Sequence, residues 1–176
     1  MSAMNDRPPA YRIGHGYDLH RLEPTPPLGR GQAFVLAGVT FEHPRGPVGH
    51  SDGDAVLHAV TDAILGALGE PDIGQLFPDD DPEYESAYST IFLNEALRRM
   101  EEAGYTTGNL DVTVICESPK VGPRKEELRD ALARSLGCDR DRVNLKGKTH
   151  EKIDAVGEGR AIEVHAAILL ERADDR

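Results

Sequence analysis

AIEVHAAILL, residues 161–170, is the stretch whose reading decides the architecture. Ile162, Val164, Ala166, Ile168 and Leu170 recur at every second position, the spacing of a β-strand with one face turned to a core. Ala167 and Leu169 leave the opposite face only partly polar. The first face calls for a covering layer of helices. The second points toward packing between subunits, with a wider core within one chain as the alternative.

Working outward, RIGHGYDLHRL (12–22), AFVLAGVTF (33–41), Leu110–Glu117 and Val143–Lys148 also read as strands. Together they predict a mixed sheet of about four main strands. Between them, Asp54–Leu68 carries apolar residues at 56, 57, 60, 64, 65 and 68, a helical spacing. Ser86–Ala103 reads as a second helix stopped by Gly104, and Pro123–Leu136 as a third, opened by proline. The alternation predicts an α/β (α+β) sandwich with helices layered on one face and some antiparallel pairing. EPTPPLGRGQ (23–32) is a Pro/Gly-dense loop, while the acidic segment GEPDIGQLFPDDDPEYES (69–86) is long enough to suspect function. We expect one domain over residues 11–171, a flexible extension at 1–10 and a short tail at 172–176.

Composition narrows the chemistry. A net charge of -11 over 176 residues disfavours nucleic acid, whose phosphates are bound through excess Lys and Arg. It leaves room for a small phosphorylated substrate, because a local cation reverses the field inside a site. Cys116 and Cys138 are too few and too far apart for a disulfide framework, which favours a reducing, cytoplasmic setting. No run has the apolar length of a membrane span, and the opening MSAMNDRPPAYR lacks a signal-peptide core, so no membrane partner is expected.

Asp18 and His20 lie two residues apart in a strand and share a face. His58 lies on the first helix with Asp62 one turn further on. Two imidazoles and a carboxylate hold a divalent ion while leaving a position open for Lewis-acid work. Asp62 is a candidate supporting carboxylate, accepting a hydrogen bond from His58. The bland alternative makes these ordinary polar strand and helix residues.

His50-Ser51-Asp52-Gly53-Asp54 precedes the first helix, with cap residues whose exposed amides suit phosphate and with His50 as a donor to a phosphate oxygen. The charges of Asp52 and Asp54 oppose an anion unless they face away, and a plain helix cap is the alternative. In the acidic loop, backbone near Gly74 and the Asp79 carboxylate suit a polyol, against a merely solvated turn. Lys146-Gly147-Lys148-Thr149-His150-Glu151 follows a strand and gathers cations, a hydroxyl and a carboxylate suited to a hard cation between phosphates. Its glycine spacing is not that of a Walker A loop. Ser118-Pro119-Lys120 also ends a strand, where loops often bind ligands.

Taken in order, GHGYDLHRL (14–22), GHSDGDAVLHAVTDAILGALGEPDIGQLFPDDDP (49–82) and GYTTGNLDVTVICESPK (104–120) resemble the 2-C-methyl-D-erythritol 2,4-cyclodiphosphate synthase family. The similarity runs from about Arg12 to Leu170. It implies a ferredoxin-like fold, with sheets packed in a homotrimer that shares its active sites between neighbours. It implies zinc on Asp18, His20 and His58, and phosphate contacts from His50 and Ser51. Asp72, Gly74 and Asp79 match the substrate loop, and Cys116–Val121, with Pro119 and Lys120, the cytosine pocket. Thr149 matches a diphosphate contact, and Glu151 a ligand of magnesium or manganese. The implied substrate is a cytidyl diphosphate, and the implied reaction an intramolecular phosphoryl transfer that releases CMP, catalysed around His50, Lys148, Thr149 and Glu151.

Three positions depart from the family's common pattern: Lys148 stands in place of Thr, Ala155 in place of Phe, and Glu158-Gly159-Arg160 reverses an Arg-Gly-Glu run. In the family the last of these segments lines a central cavity that holds an isoprenoid diphosphate in some members. Two other readings stay open from the residues alone. One is a non-haem iron oxygenase, which uses the same two-His, one-carboxylate set. The other is a trimeric, metal-stabilised binding module.

Overall fold

The computed structural model describes residues 8–78, 81, 84 and 87–173. Its strands are β1 (Tyr11–Pro24), β2 (Phe34–Leu36), β3 (Val39–Phe41), β4 (Arg45–Pro47), β5 (Tyr105–Ile115), β6 (Val143–Lys148) and β7 (Ala161–Arg172). The helices are α1 (Ala55–Leu68), α2 (Ile73–Leu76), α3 (Thr90–Glu102), α4 (Lys125–Leu136) and α5 (Asp154–Gly157). The main sheet has five strands in the order β4-β1-β7-β5-β6, antiparallel except for the β5–β6 pair. The expected count of about four main strands is therefore corrected. The short β4 adds an edge to β1.

A second correction concerns residues 33–41. The apolar run predicts one strand, but the chain turns at Ala37 (φ 52°) and Gly38 (φ 75°) and pairs β2 with β3 as a separate hairpin. The cause is tertiary. The fully buried Asp54 carboxylate accepts the amides of Ala37 (2.9 Å) and Gly38 (2.6 Å) while also capping α1 at Val56 and Leu57 (both 3.1 Å). One side chain thus ties the turn to the start of the helix.

The even-numbered residues of β7 are buried against the helical layer, as their alternation demands. α1 lies across β1 and β7 and packs on α3. Its seat is cut by two glycines. A Cβ on Gly14 would stand 1.8 Å from the carbonyl oxygen of Ala63, and one on Gly16 equally close to that of Ala59. Only a bare backbone lets the helix come this near. The opposite face of the sheet carries Tyr11, Ile13, Tyr17 and Leu19, which are 62, 79, 46 and 50% exposed. At the chain ends, Pro9 and Pro8 carbonyls accept from Tyr105 and Arg172, and the amide of Arg172 reaches Ala10.

A candidate metal centre and a separate lysine-bearing cleft

Asp18 and His20 point from β1 toward α1, and the close approach at Gly14 and Gly16 brings His58 to meet them. Asp18 Oδ2 lies 2.9 Å from His20 Nε2 and 3.1 Å from His58 Nδ1, and the two ring nitrogens are 3.1 Å apart. One carboxylate oxygen and two imidazole nitrogens therefore face a single point. Among the described residues this is the trio whose donor atoms are grouped to hold a metal ion.

The far side of His58 explains its orientation. Its Nε2 lies 2.8 Å from Ser89 Oγ and 3.1 Å from Ser51 Oγ. The Ser89 hydroxyl donates to Asp52, so toward the ring it acts as an acceptor. When Nδ1 gives up the proton it donates to Asp18, the ring keeps its other proton on Nε2 toward Ser89, which frees Nδ1 to ligate a metal ion. This corrects the expectation for Asp62. Its carboxylate accepts the Ile73 amide at 2.9 Å and anchors the acidic loop, while the partners of His58 Nε2 are hydroxyls. Asp52 accepts from the Ser89 hydroxyl and from the Asp54 amide at 3.2 Å, neutral donors that leave its charge in place. Ser89 was not legible as a site residue. It falls inside the helix expected from Ser86, whereas α3 begins only at Thr90, and no local spacing connects it to His58, thirty-one positions away.

The trio is electrostatically coupled. Burial raises the Asp18 carboxyl, but hydrogen bonds from His20 and His58 outweigh it and hold it well below the usual carboxylate range. Burial lowers His58, but the bond and charge of Asp18 outweigh that and raise it above the ordinary imidazole value. In the metal-free chain the His58 contribution to stability is complete below the unfolded-state value and is lost as pH rises through the folded one. The Asp18 contribution is present above the unfolded carboxylate value and is lost in acid. A metal ion needs His58 unprotonated at Nδ1, so affinity for a divalent cation is expected to fall as pH drops through the raised His58 range. Zinc titrations from about pH 8 down to about pH 6 check this, and a flat profile would contradict the coupling.

A cleft of about 380 Å³ opens over the trio, lined also by His50, Ser51, Asp62 and Gly74. Asp72 caps α2, accepting from the Gln75 amide at 3.0 Å and its side-chain nitrogen at 2.9 Å. Asp79 lies outside the described residues.

Lys120, Lys148, Thr149 and Glu151 line a second cleft of about 420 Å³ with Cys116 and Gly122, and no described residue lines both. Pro119 sits beside Lys120 in the loop after β5. Lys146 is paired with Asp111, which leaves Lys148 as the cation of that strand facing the cleft. Thr149 Oγ1 donates to Glu151 Oε1 at 3.2 Å. Glu151, Lys152 and Asp154 all have positive φ (52°, 65°, 62°), strain that a binding segment sustains where surrounding contacts impose it. Cys116 is no nucleophile, since burial pushes its thiol up to about 11. Glu158 and Arg160 pair with each other.

The fold is thus an α/β sandwich with a carboxylate–diimidazole group that could hold a metal ion and a separate cleft that bears lysines. Comparison with known proteins narrows this. The YgbB family matches residues 11–171, and the chain belongs to that family. It is 56% identical over 160 residues to the chloroplastic 2-C-methyl-D-erythritol 2,4-cyclodiphosphate synthase of Arabidopsis thaliana, covering 91% of this chain and 67% of that one. It is 46% identical to the Cronobacter sakazakii synthase, covering 92% of this chain and 98% of that one. Among solved structures, IspF of Plasmodium falciparum in complex with CDP matches with a TM-score of 0.80 and 37% identity, covering 93% of this chain and 97% of that chain.

Proposed function

We propose that the chain is a phosphorus–oxygen lyase of isoprenoid biosynthesis, a 2-C-methyl-D-erythritol 2,4-cyclodiphosphate synthase. It converts 4-diphosphocytidyl-2-C-methyl-D-erythritol 2-phosphate to the 2,4-cyclodiphosphate and CMP. The observation that carries this reading is the convergence of Asp18, His20 and His58 under a cleft whose rim carries His50 and Ser51. Relatives of this identity over nearly the whole domain support it.

The reaction forms a bond from a 2-phosphate oxygen to the β-phosphorus and breaks the bond from that phosphorus to the CMP oxygen. No side-chain nucleophile is needed, in keeping with the high Cys116 thiol value. Zinc on Asp18, His20 and His58, with magnesium or manganese on Glu151, would supply charge neutralisation for the transferred phosphoryl group. The chain's own residues hold the reactants. His50 and Ser51 bind phosphate, Asp72, Gly74 and Asp79 the erythritol, and Pro119 and Lys120 the cytosine end. Lys148 and Thr149 take the diphosphate, and positioning provides much of the rate.

These residues are split between two clefts, which supports an active site completed by a neighbouring copy in a homotrimer of ferredoxin-like subunits. The exposed face of Tyr11, Ile13, Tyr17 and Leu19 is the surface such packing would cover. Ile13→Glu is therefore expected to yield monomers in light scattering, with activity lost alongside. A trimeric, active Ile13→Glu would refute this interface. The setting we propose is cytoplasmic, on the two free thiols. Among the described residues no helix is long and apolar enough to cross a membrane.

Phosphorus NMR tests the activity. Zinc-loaded protein with substrate and magnesium should yield a cyclic diphosphate and CMP, and chelation should stop it. A folded, zinc-loaded chain that forms neither product would sink the assignment.

A further inference from the structure

We propose that His15 and His165 form a second transition-metal site, on the face of the sheet turned away from α1. His15 Nε2 lies 3.2 Å from His165 Nδ1, with ring centroids 5.4 Å apart and planes inclined by 34°. On the other side of the same ring, His165 Nε2 lies 2.9 Å from Glu163 Oε1. The carboxylate accepts only from N–H, so it draws the ring proton to Nε2 and leaves Nδ1 as a lone pair toward His15. A carboxylate fixing the tautomer of an imidazole whose other nitrogen faces a second imidazole is the usual support of a histidine metal ligand.

The spacing also fits. Two imidazoles on one tetrahedral ion, each roughly 2.0–2.1 Å from it, stand roughly 3.3 Å apart. The borderline ions that favour imidazole, zinc, nickel and copper, are the class expected, with water filling the remaining positions. The site is distinct from the trio. Side chains at 15 and 18 leave opposite faces of β1, and the ring of Tyr17, 5.0 Å from that of His165, lies on the His15 side. Both ligands belong to one chain, so the pair does not depend on what covers the face.

A direct hydrogen bond between two neutral rings has the same separation, and the experiment separates the two. Chelator-stripped wild-type protein is titrated with Zn2+ alone by calorimetry, beside His15→Gln and His165→Gln, with synthase activity and melting measured on each. The proposal expects each variant to bind about one zinc fewer per chain than wild type, with light scattering on each to show that subunit packing over this face is kept. Glu163→Gln should keep the stoichiometry and weaken that site by about tenfold or more. Equal zinc counts in wild type and both variants would leave only a hydrogen bond and overturn the site. If His165→Gln fails to fold, the exposed His15→Gln decides alone.

Discussion

His58→Ala is expected to reduce cyclodiphosphate formation by about a thousandfold or more, with zinc lost from the purified protein. The reason is geometric. His58 is the one ligand supplied by α1, and Asp18 and His20 alone leave two donors on one strand 2.9 Å apart. The variant should remain folded, because His58 points into a cleft and its loss does not open the packed helix–sheet seam. Ser89→Ala separates ligand from support. It keeps all three donors but removes the hydroxyl 2.8 Å from Nε2 and leaves Asp52 without that partner. Zinc affinity should then fall by roughly 10–100-fold, and saturating zinc should restore most of the activity. A His58→Ala protein that holds zinc and turns over normally would remove the metal centre from the mechanism. A Ser89→Ala protein with unchanged zinc affinity would remove the serine from its support.

Gly16→Ala should have the largest effect on the fold. The added Cβ would lie 1.8 Å from the Ala59 carbonyl oxygen, which is backbone in the middle of α1 and cannot rotate away. The helix must lift from β1, and the metal ligands part with it. Destabilisation of about 4 kcal/mol or more is expected, among the largest for a single substitution, read as a lost or strongly lowered melting transition. Gly122→Ala is the control. Nothing lies within 4 Å of its added Cβ, so its change should stay within about 0.5 kcal/mol. A Gly16→Ala chain that melts like wild type would mean that α1 does not sit where the glycines place it.

Much of this was legible in the sequence for a physical reason. Alternation along 162–170 and the spacing along 56–68 are local consequences of strand and helix geometry, so the buried faces of β7 and α1 follow from residue order alone. Asp18 and His20 share a face by the same rule, and His58 stood out on the first helix as the second imidazole of a two-His, one-carboxylate set. Ordered motifs carried the family resemblance. The long-range arrangement was decided only by tertiary structure. The run 33–41 breaks into a hairpin because Asp54, seventeen residues from Ala37, claims its turn amides. Ser89 supports His58, and Asp62 serves Ile73 instead, because α3 and the acidic loop fold onto α1. The division of the candidate site residues between two clefts is likewise a property of the sheet, in which β1 and β6 are not neighbours. Periodicity reports which face a residue takes. Which distant group waits at that face depends on how the layers close.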